Sequence, residues 1–335
     1  MENIKEKSLK DKVIDLVQED VPDHLHFWPY SLGAIPLVLF LILAVTGILM
    51  TFYYIPHPEK AYDSVREITY GIYLGYFIRG LHKVAVNFMV LFLLFHIVRV
   101  FFTRGYSGGG AVKWVMGALV FFTTLALGFT GYSLVYDNVS YWGTVVVTTM
   151  AGEVPLVGKP LLYLLRGGEE ISEITLLRLY DLHTKLLPLL IVLLIGAHIA
   201  ATRLVGFAKV EGLGGEHPFW PDHAVKVGVI TLGLLIIMVN LVLIFPPGLG
   251  EMADPVLVAE DVSPPWYFSA SYQWIIIAPR EPALFVMLIF PVLFICYPWI
   301  DSFLEGRGYE MAKVNMAVGT VVIVAFLWLT LWEIF

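Results

Sequence analysis

The sequence predicts an all-α integral membrane protein with seven transmembrane helices, an N-terminal four-helix bundle followed by three C-terminal helices. Three observations carry this. Of the 335 residues 58% are hydrophobic and only 15% charged, too little polar surface to cover a soluble fold of this size. Seven stretches are apolar enough, and long enough at 1.5 Å per residue, to cross about 30 Å of hydrocarbon. Two of the first four stretches each carry a pair of interior histidines, His82 with His96 and His183 with His198.

Residues 1–30 are charged and amphipathic, with Ile4, Leu9, Val13 and Ile14 set among Lys5, Lys7, Lys10 and Lys12. No compact apolar core or small-residue cleavage site follows the basic start, so the segment reads as a helix lying on the membrane surface rather than a secretory signal, with a disordered tail as the alternative. The crossings run over about 33–54, 80–103, 112–135, 179–205, 225–245, 281–300 and 312–334. Pro246 and Pro247 stop the fifth, and Pro282 stands at the start of the sixth, where a missing N–H costs little. The expected organisation is a surface segment over 1–30, a four-helix domain over 31–210 and a three-helix domain over 211–335. An odd number of crossings puts the termini on opposite sides, and 12 of the 21 Lys and Arg residues fall on the N-terminal side. That bias predicts a cytoplasmic N-terminus. The net charge of −7 argues against a nucleic-acid partner. A lone cysteine, Cys296, excludes an internal disulfide, a Cys-x-x-Cys-His haem attachment and a cysteine-ligated cluster on this chain.

The histidine spacing then points to a cofactor. Thirteen residues lie between His82 and His96 and fourteen between His183 and His198, so each pair spans roughly 20 Å along a helix and returns to nearly the same face. The second and fourth crossings run in the same direction, which sets His82 level with His183 and His96 level with His198. A single membrane histidine is often a hydrogen-bonded packing residue. Four at matched depths call for iron, and the pattern predicts two non-covalent b-type haems, one held by His82 and His183 and the other by His96 and His198. Gly33 and Gly47 in the first crossing, and Gly117 and Gly131 in the third, stand fourteen positions apart and would let flat porphyrins approach the backbone at two depths. Close helix packing is the alternative use of such glycines. Arg79 and Lys83 beside His82, and Arg99 after His96, are candidates to pair with haem propionates, with interfacial snorkelling as the alternative.

Read further, the residues resemble the cytochrome b subunits of quinol:cytochrome c and plastoquinol:plastocyanin reductases. The strings GYSLVYDNVSYWG (131–143), LLRGGEE (164–170) and LYDLHTKLLPLL (179–190), with His82, His96 and Arg99, are similar to the haem-binding half of that family. The fourteen-residue spacing on the fourth crossing resembles the chloroplast-type branch. GEHPFWPD (215–222), FPPGLGEMADP (245–255) and PPWYF (264–268) resemble the separate three-helix subunit of that branch, joined here to the first piece as one polypeptide.

The resemblance implies quinol oxidation with electron bifurcation. One electron goes to a Rieske iron–sulfur protein, the other passes across the membrane to a quinone-reduction site, and protons are translocated. Implied partners are the Rieske protein, a cytochrome c subunit or other haem c protein, a second copy of the chain in a homodimer, and membrane lipid. Two departures stand out. Ser31 occupies the position where the chloroplast type has a cysteine tethering an extra haem, which argues against a covalent third haem. Pro264, Pro265, Trp266 and Tyr267 replace the family's Pro-Glu-Trp-Tyr, and proline cannot take the proton that the glutamate takes. Quinol oxidation releases two protons, so a base must stand within hydrogen-bond reach; Asp261, Glu260 and Asp137 are the candidates, with solvated loop charges as the alternative, and the resemblance implies that Tyr136, Asp137 and Tyr267 come to the same pocket. Arg203, His217, Asp222 and Lys226 are the ionisable candidates for the quinone-reduction side. Two further readings are a di-haem, quinone-reactive membrane anchor of a dehydrogenase and a haem-free transporter whose histidines relay protons.

Overall fold

The computed structural model describes residues 20–22, 25, 32–206, 215–257 and 262–334. Apart from positions 20–22 and 25, the expected surface segment over 1–30 lies outside the described residues. Eleven helices and two short strands make up the described chain. Strand β1 (Asp20–Pro22) is followed by α1 (Ala34–Thr51), α2 (Ala61–Tyr70), α3 (Gly75–Phe102), α4 (Ala111–Ser133), α5 (Asn138–Gly152), α6 (Gly158–Arg166) and α7 (Glu173–Val205). Then come β2 (Glu216–Pro218), α8 (Ala224–Ile244), α9 (Trp266–Ile277), α10 (Arg280–Gly306) and α11 (Met311–Ile334).

Seven of these helices, α1, α3, α4, α7, α8, α10 and α11, are long and apolar enough to cross a membrane. Their outward faces carry Leu41, Val45, Leu193, Ile236 and Val321, all exposed, as hydrocarbon-facing surfaces require. Helix α1 packs on α3, α3 on α4, α4 on α7, and α7 returns to α1 through residues 182–186, which closes a four-helix bundle. The three C-terminal crossings lie against its outside. Leu234 and Met238 of α8 join Leu39 of α1 and Met89 of α3 in one buried cluster. Helix α10 packs on α4, where the Trp114 indole N–H donates to the Phe294 carbonyl at 2.7 Å, and α11 packs on α3.

The short helices α2, α5, α6 and α9 all fall in connections at one end of the bundle, after odd-numbered crossings. Asp137 caps α5 by accepting from the Ser140 N–H at 2.9 Å, and Ser172 with Thr175 forms a reciprocal capping box at the start of α7. Arg166, buried at the end of α6, donates to Thr148 and Thr149 and to the carbonyls of Val145 and Glu169, which ties α5 to the loop before α7. The turn from α2 into α3 brings Gly75 so close to the Ile68 carbonyl that a Cβ would sit 1.9 Å from that oxygen. At the opposite end β1 and β2 pair antiparallel, Val21 opposite His217.

Helix α7 is not regular throughout. Residues Leu182–Leu186 form a widened π turn that contains His183. Pro188 supplies the cause: it has no N–H for the carbonyl four residues back, and its ring crowds that turn.

Candidate functional site

Inside the bundle the four crossing histidines meet in two pairs. The His82 and His183 rings stand 6.4 Å apart between centroids, and His96 and His198 6.5 Å. A ligating imidazole nitrogen lies about 2 Å from a first-row metal, and the ring centre about 1 Å beyond it, so two rings sharing one iron have centres about 6 Å apart. Both gaps have that width.

The outer nitrogens are held so that the inner ones face the gap. Thr46 donates its hydroxyl proton to the Ile42 carbonyl at 2.7 Å, which leaves the oxygen to accept from His82 Nδ1 at 2.9 Å. Thr130 does the same for His183, donating to Ala126 at 2.8 Å and accepting from Nδ1 at 3.1 Å. His198 Nδ1 lies 3.0 Å from the Lys113 carbonyl, which can only accept. In all three the proton sits on Nδ1, and Nε2 keeps the lone pair that a metal needs. His96 differs, with a guanidinium nitrogen of Arg99 at 3.5 Å from its Nδ1. These second partners were not anticipated from the sequence, although a signal was present: the dipeptide Thr-Gly occurs at 46–47 and 130–131, at the same level of the first and third crossings.

Each of the four spaced glycines faces one histidine. A Cβ on Gly33 would stand 3.2 Å from His96, on Gly47 3.4 Å from His82, on Gly117 3.2 Å from His198 and on Gly131 2.6 Å from His183. The imidazoles therefore occupy the space that the missing side chains leave. A cofactor slot with an imidazole on each side and bare backbone behind each imidazole suits a flat bis-histidine haem.

A cavity of about 380 Å³ takes in the gap between His96 and His198, with Gly33 and Gly117 also in its wall. Arg99, Lys113 and Arg203 line it, as do His223 and Phe219 and, from the β1 side, Val21 and Leu25. Of the residues expected on this side, Arg203 is therefore on the cavity wall. His217 is buried, with its ring 5.9 Å from that of His223. Lys226 donates to the Leu25 carbonyl at 3.0 Å, and Asp222 is exposed. His223 and Lys113 were not among the sequence candidates.

At the other end Trp266 donates from its indole to the Asn87 side chain at 2.8 Å, and Tyr267 is buried against Gly128, whose Cβ would lie 3.2 Å from the ring. Pro264 and Pro265 lead into α9, Pro265 as its N-cap residue. Asp137, besides capping α5, faces Gly250 and forms a backbone bridge with Met252. Tyr136 has left-handed backbone, φ 55°, and packs with Leu134, Leu176 and Leu179. Burial pushes the Tyr136 and Tyr267 phenols each up to about 12, so both are neutral donors at physiological pH and neither is a base. Tyr132, not among the sequence candidates, donates its hydroxyl to the Val139 carbonyl at 2.8 Å. Arg79 is engaged by Thr69 and the carbonyls of Pro247 and Gly248, and Lys83 one turn on is exposed. Glu260, Asp261 and Ser31 lie outside the described residues.

These features define a polytopic helical membrane protein built round two facing pairs of interior imidazoles. Residues 16–206 match the family model described as Cytochrome b/b6/petB, and the chain belongs to the cytochrome b family, as a cytochrome b of the bc/b6f type with a C-terminal extension. That membership implies b-type haem. The chain is 40% identical over 200 residues to cytochrome b6 of a Synechococcus species, and 38% identical over 200 residues to cytochrome b6 of Prochlorococcus marinus. Each alignment covers 60% of this chain and 91% of the relative. A solved structure described as "Hyperthermophilic respiratory Complex III" shares the fold over 99% of this chain and 98% of its own, with a TM-score of 0.80 and 21% identity.

Proposed function

We propose that this chain is the di-haem cytochrome b subunit of a quinol:cytochrome c oxidoreductase. The observation that carries the proposal is the geometry of the two histidine pairs, 6.4 and 6.5 Å apart at two levels of one bundle, each ring backed by a glycine. His82 with His183 would hold one haem, and His96 with His198 the other. When bound, the haems supply one-electron transfer between the two faces of the membrane.

The protein's own contribution is to orient, to exclude water and to handle protons. Thr46, Thr130 and the Lys113 carbonyl fix the imidazole tautomers and raise ligand basicity. At the PPWY end Trp266 and Tyr267 shape the quinol pocket, and Tyr136 and Tyr267 donate hydrogen bonds as neutral phenols. Proton removal falls to a carboxylate, Asp137, Asp261 or Glu260, in place of the missing family glutamate. On the far side the basic part of the cavity next to the His96/His198 slot, where Arg203 and His223 line it, serves quinone reduction. The reading includes bifurcation to a Rieske protein, a haem c partner, a homodimer, proton translocation, the domain limits 1–30, 31–210 and 211–335, and a bacterial inner membrane with the N-terminus cytoplasmic. The names of the relatives and the fold of the Complex III neighbour support the part of this reading that places the chain in a multi-subunit quinol-oxidising complex.

The test is purification of the native complex. Two spectrally distinct b-type haems per chain, quinol:cytochrome c activity and a co-purifying Rieske protein are expected. Co-purification with a molybdenum or hydrogenase subunit instead would make the chain a dehydrogenase anchor, and a preparation without a haem band would end the reading.

A further inference from the structure

The loop between α3 and α4 is held from outside the four-helix bundle. Arg104, itself in left-handed backbone at φ 50°, reaches Asp301 of α10 at 2.6 Å and both oxygens of Glu305 at 2.9 and 2.8 Å. Two residues on, the buried Tyr106 donates its hydroxyl to the other oxygen of Asp301 at 2.9 Å. Asn315 of α11 donates to that hydroxyl at 2.7 Å and accepts from Tyr297 at 2.8 Å. Asp301 is 1% exposed, so its carboxylate has these protein partners in place of water. The paired carboxylates hold Arg104 above the usual guanidinium range, and burial, first among the causes, keeps Tyr106 protonated.

The same loop is part of a cavity wall. Thr103 and Gly105, on either side of Arg104, line the space that contains His96 and His198, and the hydrogen-bonded pair Trp114 and Phe294 lines it beside them. A clasp of buried Asp301 and exposed Glu305 on the partly exposed Arg104 therefore ties this wall to α10. We propose that Asp301 is a positioning residue for the His96/His198 site: through Arg104 and Tyr106 it keeps the Thr103–Gly105 wall closed against water. The proposal rests on the two-haem reading.

Two mechanisms by which Asp301 could affect that site differ in sign. Acting as a bare charge, Asp301→Asn raises the reduction potential of the nearby haem and Arg104→Gln lowers it, and the double variant cancels. Acting as a clasp, either change opens the wall, and water favours the more charged oxidised state, so both variants lower the potential. The experiment is redox titration of the purified complex by optical spectroscopy, with Asp301→Asn, Arg104→Gln and the double variant. The expected result is that one of the two haem steps moves down in both single variants by about threefold in the reduction equilibrium, about 30 mV for one electron, with the double variant no further displaced. Shifts of opposite sign, equal shifts of both haems, or no shift would overturn the proposal. If Asp301→Asn does not accumulate, Tyr106→Phe carries the test: a smaller downward shift of the same step supports the clasp, and an unmoved step overturns it. Two unshifted haem steps leave the two-haem reading intact while removing the clasp, whereas a parent protein without two haems removes that reading itself.

Discussion

Gly131 and Gly47 show how finely one atom matters in the bundle. Both back a histidine, but an added methyl would meet the His183 ring at 2.6 Å and the His82 ring at 3.4 Å, the first a clash and the second ordinary contact. Gly131→Ala is therefore expected to displace His183 and remove one b-type band from the reduced-minus-oxidised spectrum, while Gly47→Ala retains both bands. Equal spectra from the two variants would show that the glycines do not position the rings. The buried phenol of Tyr267 makes a separate prediction. Folding raises its pKa from 10.0 to about 12, so the stabilisation is complete below the unfolded value and is lost as pH rises through the folded one. The parent should lose thermal stability relative to Tyr267→Phe between pH 10 and about pH 12, and the difference should be constant from pH 7 to 9. Parallel curves to pH 12 would mean that the phenol titrates as if exposed. The histidines and glycines were legible because they interrupt apolar runs at a repeated interval. Thr46, Thr130 and His223 were not, because a threonine bonding its own helix and a buried histidine beside a loop look ordinary in a one-dimensional sequence.

Among the elements, all seven crossings were readable, since a lipid-facing helix must be apolar over its whole length, although the second begins at Gly75 rather than near 80 and the sixth runs on to Gly306 rather than ending near 300. The fourth begins at Glu173 rather than near 179, because its first turns are amphipathic and rest on α4 and α6. Helices α2, α5, α6 and α9 escaped the sequence reading altogether; they are 10, 15, 9 and 12 residues long, and tertiary packing rather than length or composition fixes them. Arg166 is the keystone of one such region. Arg166→Met would leave the buried Thr148 hydroxyl without its donor and the Val145 carbonyl without its guanidinium partner, a loss of about 3 kcal/mol. A shortened inactivation half-life in detergent at fixed temperature, with both haem bands present before heating, is the expected outcome. An unchanged half-life would show that α5 and α6 do not depend on that guanidinium.

At the scale of the molecule, the three C-terminal crossings and the bundle are joined by the Leu39, Met89 and Met238 cluster, the Trp114 to Phe294 bond and the Arg104 clasp. These contacts predict that 1–210 and 211–335, expressed as two chains in one cell, co-purify with both haems. Recovery of the first piece alone would mean that the covalent link, and not the interface, holds the parts together. That interface could not be read from the sequence. Asp301 lies 197 positions from Arg104 and Asn315 209 from Tyr106, both in apolar runs, and nothing local marks them as partners.

The pairing of β1 with β2 carries a consequence for how the molecule is made. Val21 and Leu25 border the cavity beside His96 and His198, but β1 has its partner only once Glu216–Pro218 has been synthesised. Until the ribosome has passed that point, four crossings can gather while the floor beneath their inner histidines lacks its latch.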